Sequence, residues 1–284
     1  MRSNIARAIL AARGGRRVNW LLRRHGPAVL DRLMALMRPD ERATFDRLAG
    51  TLQAWHVRAV LLGDAGYPPA LAESPDAPAA LFHVGPIELL GRPVLAVCGA
   101  HEGADGELVA AKTAARIAAD SGLAVVSGDR GGVGGAAVST ALRCGGTAGV
   151  VLAEVIGQGW RGGLPGDAAP DSDRLVMVSQ VPPGLPWSID TAMARNATLA
   201  GLCTALVAVA AGSTGGTIDA GQRALAAGKP VLAVGDTAGS RLLVDHGATP
   251  ARDHIELAWW LDRLRSGHRD LVDVAGADVR GTAG

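Results

Sequence analysis

Residues Pro93 to Ser127 read PVLAVCGAHEGADGELVAAKTAARIAADSGLAVVS, and this stretch decides the fold. Val94–Cys98 is a continuous apolar run with no alternation between an inner and an outer face. A glycine-bearing turn follows, then an alanine-rich helical pattern over roughly Gly106–Ser121, then a second apolar run at Leu123–Val126. Strands that are apolar on both faces belong in a parallel sheet covered on both sides, and the crossover helix supplies one of the covers. The same unit recurs toward the C-terminus. Apolar runs stand at Ala148–Leu152, Leu175–Val178, Ala205–Val209 and Val231–Val234, with helical stretches near Gly134–Cys144, Ile189–Leu202 and Ile218–Ala227. The expected fold is therefore α/β, a Rossmann-like, doubly wound, mostly parallel sheet.

Upstream of that unit the pattern changes. Leu21, Leu22, Val29, Leu30, Leu33 and Leu36 recur at helical spacing, Gly14-Gly15 and Gly26-Pro27 punctuate them, and Pro39-Asp40-Glu41 opens a further helix. Residues 1–60 are expected to form a small helical domain, and Val57–Leu62 a short strand leading into Gly66-Tyr67-Pro68-Pro69. The Rossmann-like domain is placed at 61–265 and a flexible C-terminal tail at 266–284. Gly157–Asp173, rich in glycine and proline, is expected to be a long polar loop, a lid or a disordered tip.

The composition suits a packed core. Of 284 residues 48% are hydrophobic and 19% charged, which excludes a disordered chain. No apolar run approaches the roughly 20 residues needed to span a bilayer. Arginines interrupt the N-terminus before a signal-peptide apolar region can form, so a cytoplasmic location is expected and no membrane partner. Cys98, Cys144 and Cys203 are an odd number without paired spacing, and the seven histidines form no HExxH motif, so neither disulfide, metal nor cofactor is expected. The net charge of +1 hides an asymmetry. Residues 1–60 hold twelve arginines against four acids, a local charge of +8, and the remainder carries −7. Such a segment is either a basic arm for nucleic acid or a solvated helical surface, and the solvated surface is the simpler reading.

Three strand-to-helix junctions carry small residues. The first holds Gly99 and His101, the second Ser127, Gly128 and Arg130, and the third Ser213, Thr214, Gly215, Gly216 and Thr217. In a parallel sheet all three lie at the carboxyl edge, where a ligand crevice forms. Glycine lets the backbone approach an anion, and a helix N-terminus presents unpaired N–H groups and a positive dipole end. The shared target of such turns is phosphate. Arg195 and Asn196, in the helix before Ala205–Val209, add a guanidinium fork for phosphate and an amide for a base or sugar. No GxxxxGK[ST] occurs and no strict GxGxxG follows the first strand, which argues against an ATPase and against ordinary dinucleotide binding.

These residues resemble the DprA/Smf DNA-processing family. Tyr67-Pro68-Pro69-Ala70-Leu71, Asp76-Ala77-Pro78 and Leu81-Phe82-His83-Val84-Gly85 are similar to its YPxxL…DxP…LFxxG signature. Ser127-Gly128, Gly132-Val133, Ala141-Leu142 and Gly145-Gly146-Thr147 follow its SG…GID…AL…GGT stretch. Pro182-Pro183-Gly184, Arg195-Asn196 and Leu199-Ala200-Gly201-Leu202 follow PxG…RNxxIAGL, and Ser213–Ala220 follows its late turn more loosely. The closing segment is similar at Gly239–Leu243, Gly247-Ala248 and Asp253, so the order of motifs agrees from about residue 60 to 262.

The resemblance implies a cytoplasmic protein, without catalysed reaction, that binds single-stranded DNA and hands it to the RecA recombinase, commonly as a homodimer, in natural transformation. The chain departs from the family pattern at several positions. His101 stands where the family has Arg, Gly132-Val133-Gly134 replaces GID, Ala197 replaces the Arg after Asn, and no winged-helix domain is expected. Two other readings stay open: a degenerate paralogue binding a nucleotide or a protein partner, and a LOG-like nucleoside-monophosphate hydrolase. For the latter, aligning Gly216-Thr217 with the GGxGTxxE turn puts Ala220 at the glutamate position, with Asp219 one residue early, rotated by about 100°.

Overall fold

The computed structural model describes residues 2–128, 131–157 and 173–265. Arg130, most of the expected 157–173 loop and the expected 266–284 tail lie outside the described residues.

Four helices lead the chain: α1 (Arg2–Arg13), α2 (Gly15–His25), α3 (Val29–Ala35) and α4 (Pro39–Ala54). Then come β1 (Arg58–Leu61), the short α5 (Pro69–Ala72), β2 (Ala80–Val84), a 3-10 turn at Ile87–Gly91 and β3 (Val94–Cys98). The alternating part continues as α6 (Asp105–Asp120), β4 (Ala124–Ser127), α7 (Gly132–Arg143), β5 (Thr147–Leu152), β6 (Leu175–Ser179), α8 (Ile189–Leu202) and β7 (Ala205–Val209). It ends with α9 (Gly216–Ala226), β8 (Val231–Val234), α10 (Ala238–Asp245), β9 (Thr249–Ala251) and α11 (His254–Arg265).

The strands form one nine-stranded sheet in the order β1-β2-β6-β5-β4-β3-β7-β8-β9. From β6 to β9 every pairing is parallel, while β2 pairs antiparallel with both of its neighbours. Strands β4, β6, β7 and β8 are buried at every residue, as runs apolar on both faces require. Helix α6 packs beside α7 and α11, and α9 beside α8 and α10.

The expected sheet is therefore present, extended at one edge by β1 and β2. The first strand straddles residue 60, so the sheet begins within the boundary drawn there. Helix α1 packs on β1 and β2 as well as on α4, and the helices share one hydrophobic core with the sheet. Side-chain donors fasten them further: Asn4 Nδ2 to Ala59 O at 2.9 Å, Asn19 Nδ2 to Ala77 O at 2.9 Å and Arg13 Nη2 to Pro183 O at 2.8 Å.

Candidate nucleic-acid interface

The chain leaves β3 toward β4 on one side, and β7 occupies the other side of β3. Between them lies the point where strand order reverses, and there the carboxyl ends of a doubly wound sheet part into a crevice. All three small-residue turns border it.

Two of these turns are packed on each other. A Cβ added at Gly99 would stand 2.6–2.7 Å from the Val133 side chain, and Val133 N donates to Ala100 O at 3.1 Å. Gly132 has φ +48°, and a Cβ there would come within 2.3 Å of the Ala100 and His101 carbonyls. The glycines are required because turn meets turn. Gly99 thus serves helix packing, where the sequence suggested an anion. The His101 ring is exposed and lies against Gly131. Ser127, expected among the phosphate-binding residues, is 1% exposed, so its hydroxyl is set back from the rim.

The third turn is open. Ser213, Thr214, Gly215 and Gly216 are exposed and Thr217 is half-buried. Gly215, at φ +103°, caps α9 without any side-chain bond to the helix's first amides, so those amides keep the free donors of a helix start. The turn is held from beneath by α10. Thr237 Oγ1 donates to Ala211 O at 2.6 Å, Gly239 N to the same oxygen at 3.1 Å, and a Cβ at Gly239 would stand 1.9 Å from Gly212 O. Ala210, just before the turn, has φ +46°. A non-glycine residue in the left-handed region costs about 1–2 kcal/mol and needs surroundings that enforce it.

Arg195 crosses the crevice. Its helix starts at a reciprocal cap, in which Thr191 N donates to Ser188 Oγ at 3.1 Å and Ser188 N to Thr191 Oγ1 at 3.0 Å. The guanidinium Nη1 donates to Gly128 O, and Nη2 stands 3.8 Å from where a Cβ of Gly216 would be. Gly128 must be glycine for this, since a Cβ there would lie 1.8 Å from Nη1. No carboxylate pairs with Arg195 among the described residues. Its Nε is buried and finds no acceptor there. Burial pushes the neighbouring Cys98 thiol up to about 12, against the pull of the Arg195 charge, so Cys98 stays a neutral thiol and does not offset the guanidinium.

Asn196 points elsewhere. It is 3% exposed, and its Nδ2 donates to Asp219 Oδ2 at 2.9 Å. Arg223 Nε donates to the same carboxylate at 3.0–3.1 Å, and Arg223 Nη1 reaches Asp76 at 3.4 Å. The expected contact of Asn196 with a base or sugar gives way to a clamp between α8 and α9, because one residue along a helix turns a side chain by about 100°. The same clamp occupies Asp219, the carboxylate nearest the position a hydrolase would need, and Ala220 beside it is fully buried. Among the described residues no three His, Cys, Asp or Glu side chains gather as metal ligands, and no helix is long and apolar enough to cross a membrane.

Two positioning features escape a reading by motif. Lys229 Nζ donates to Ala200 O at 2.7 Å and Gly201 O at 2.8 Å, the last carbonyls of α8. Gly239, the second residue of α10, lies under the third turn. The only sequence signals are a lone lysine after Gly228 and a glycine two residues after Thr237, which many loops would carry.

Comparison with known proteins agrees with this architecture. A family model described as DNA recombination-mediator protein A matches residues 58–258. Among solved structures, DNA processing protein A (DprA) from Streptococcus pneumoniae is similar with a TM-score of 0.65 and 24% identity, over 82% of this chain and 81% of that one. DNA processing protein A from Helicobacter pylori, for which a single-stranded DNA binding mode is described, gives 0.62 and 19% identity, over 75% of this chain and 98% of that one. At these identities the two structures speak for the fold. No curated protein matches the sequence. The family assignment rests on the sequence match, which spans the sheet from β1 into α11, and by it the chain belongs to the DNA recombination-mediator protein A (DprA) family of DNA-processing proteins.

Proposed function

We propose that the crevice binds single-stranded DNA, and that the chain acts in DNA processing as a binding protein that delivers the strand to RecA as a homodimer. The observation that carries the reading is the state of Arg195. Its charge meets a carbonyl and, among the described residues, no carboxylate, and it stands between Gly128 and the start of α9, whose cap Gly215 leaves the first amides without a side-chain acceptor. A phosphodiester placed there meets a guanidinium and backbone N–H donors together, the combination that holds phosphate without reading sequence. The single-stranded DNA binding mode described for the Helicobacter pylori protein supports the choice of ligand.

The test is fluorescence anisotropy of a labelled oligothymidylate against salt, with Arg195→Met beside the wild type. A hydrogen bond to a charged group contributes about 2 kcal/mol, so affinity is expected to fall about thirtyfold. The slope of log affinity against log salt should flatten by about 0.7, the counterion released per phosphate of a single strand. Unchanged affinity in a folded Arg195→Met protein would defeat the reading, and a thermal-shift response to a mononucleotide but not to the oligonucleotide would favour a small ligand instead.

A further inference from the structure

Outside the crevice the most strongly charged surface among the helices is α2, GRRVNWLLRRH, which contains four arginines and no acid. Its apolar residues Val18 and Leu22 are buried against the protein, and Arg23 is bonded to Ala72 O at 3.1 Å and Ser74 O at 2.6 Å. Arg16, Arg17 and Arg24 are exposed, and no carboxylate pairs with them among the described residues. Trp20 is 56% exposed, with the Arg24 guanidinium 5.6 Å from its ring centroid and the His25 ring edge-on at 6.2 Å. Arg16, Trp20 and Arg24 are spaced four residues apart, so they line one face of the helix at steps of about 6 Å.

The start of this stripe adjoins the loop that leads into α8. Arg13, two residues before α2, donates to Pro183 O at 2.8 Å, and a Cβ at Gly184 would stand 3.1 Å from its Nη2. From there the chain runs through Leu185, Trp187 and Ile189, all exposed, into the helix that carries Arg195. Exposed side chains thus follow the chain from the loop beside Arg13 to the start of the helix that carries Arg195.

We infer that α2 is a second contact surface for the same single strand, with Arg16, Arg17 and Arg24 on its phosphates and Trp20 stacked on a base. The inference rests on the crevice reading for the identity of the ligand. Guanidinium groups interleaved with an exposed ring suit a strand whose phosphates and base faces are both accessible. An anionic lipid surface fits less well, since the apolar face that would enter a membrane is already buried in the protein.

The experiment uses the full chain, labelled oligothymidylates of about 8 and about 35 nucleotides, and a salt titration. The variants are Arg16→Gln/Arg17→Gln/Arg24→Gln, Trp20→Ala and Arg195→Met. The triple substitution removes exposed charges without touching a hydrogen bond given above. It is expected to weaken the long oligonucleotide about tenfold or more, flatten its salt slope by about 2, and leave the short one unchanged. Trp20→Ala should weaken the long oligonucleotide without changing the slope. Wild-type affinity and slope of the triple variant on the long strand would overturn the α2 surface and leave the crevice reading standing. A triple variant that loses the long strand while Arg195→Met retains it would support α2 and overturn the crevice. Binding of α2 to phosphatidylserine vesicles, with neither oligonucleotide bound, would overturn both.

Discussion

Arg195 and Gly128 act as a pair: the arginine reaches the β4 turn only because its partner has no side chain. Gly128→Ala would put a methyl group 1.8 Å from Nη1 and so displace the guanidinium. The obstructed atoms belong to the end of a flexible side chain, so the fold is expected to tolerate the change. The melting temperature should move little while oligonucleotide affinity falls toward that of Arg195→Met. An affinity equal to wild type would mean that the position of the guanidinium is immaterial. His83 is a residue of the other kind, buried in β2 and remote from the crevice, with Nδ1–H donating to Gly85 O at 3.0 Å. Burial lowers its pKa from 6.5 to about 4. Between those values the unfolded chain binds a proton that the folded chain refuses. Stability therefore rises with pH across that window and is lost as pH falls through it, by about 3 kcal/mol in full. His83→Asn, which keeps a donor near Gly85 O, should flatten denaturant stability between pH 4 and 6.5, and an unaltered pH slope would place the acid sensitivity elsewhere.

Helix α8 carries the arginine and is fixed at both ends. Its start is the Ser188–Thr191 reciprocal cap, and its end is Lys229, which binds the Ala200 and Gly201 carbonyls where the helix dipole is negative. Burial lowers the pKa of this lysine, with Cys203 and Glu73 pulling the other way. Lys229→Met leaves those carbonyls without their donor and is expected to cost about 2 kcal/mol in a denaturant titration, with the m-value unchanged. The elements that could be read directly from sequence are those that local pattern determines. Ile189–Leu202 has a capped start and a valine-rich strand behind it, and the continuous apolar runs from Val94 to Val234 mark buried parallel strands. Two strands were not legible. The second strand carries His83 among apolar residues, and β9 is three residues with Pro250 at its centre. Both exist through pairing with distant partners. The site divides in the same way. Arg195 could be singled out as a candidate because a guanidinium and glycine turns share an affinity for phosphate. The roles of Asn196 and Gly99 depend on Asp219 and Val133, 23 and 34 positions away, which no local pattern brings together.

At the scale of the whole molecule the basic N-terminal segment turns out to do two things. Arg7, Arg13 and Arg23 bind carbonyls of Pro27, Pro183 and of Ala72 and Ser74, and so fasten the helices to one another and to the sheet domain. Arg16, Arg17 and Arg24 face outward beside Trp20. The asymmetry of +8 against −7 is therefore divided between cohesion and an exposed cationic surface, while the binding proposed for the crevice rests, among the described residues, on the Arg195 guanidinium and on backbone amides. Amide hydrogen exchange measures the part proposed for those amides residue by residue. With a saturating oligothymidylate bound, exchange is expected to slow at Gly215, Gly216, Thr217 and Ile218, and at Gly128 and the start of α7. A saturated complex in which those amides exchange at the rate of the free protein, with protection confined to other parts of the surface, would contradict it.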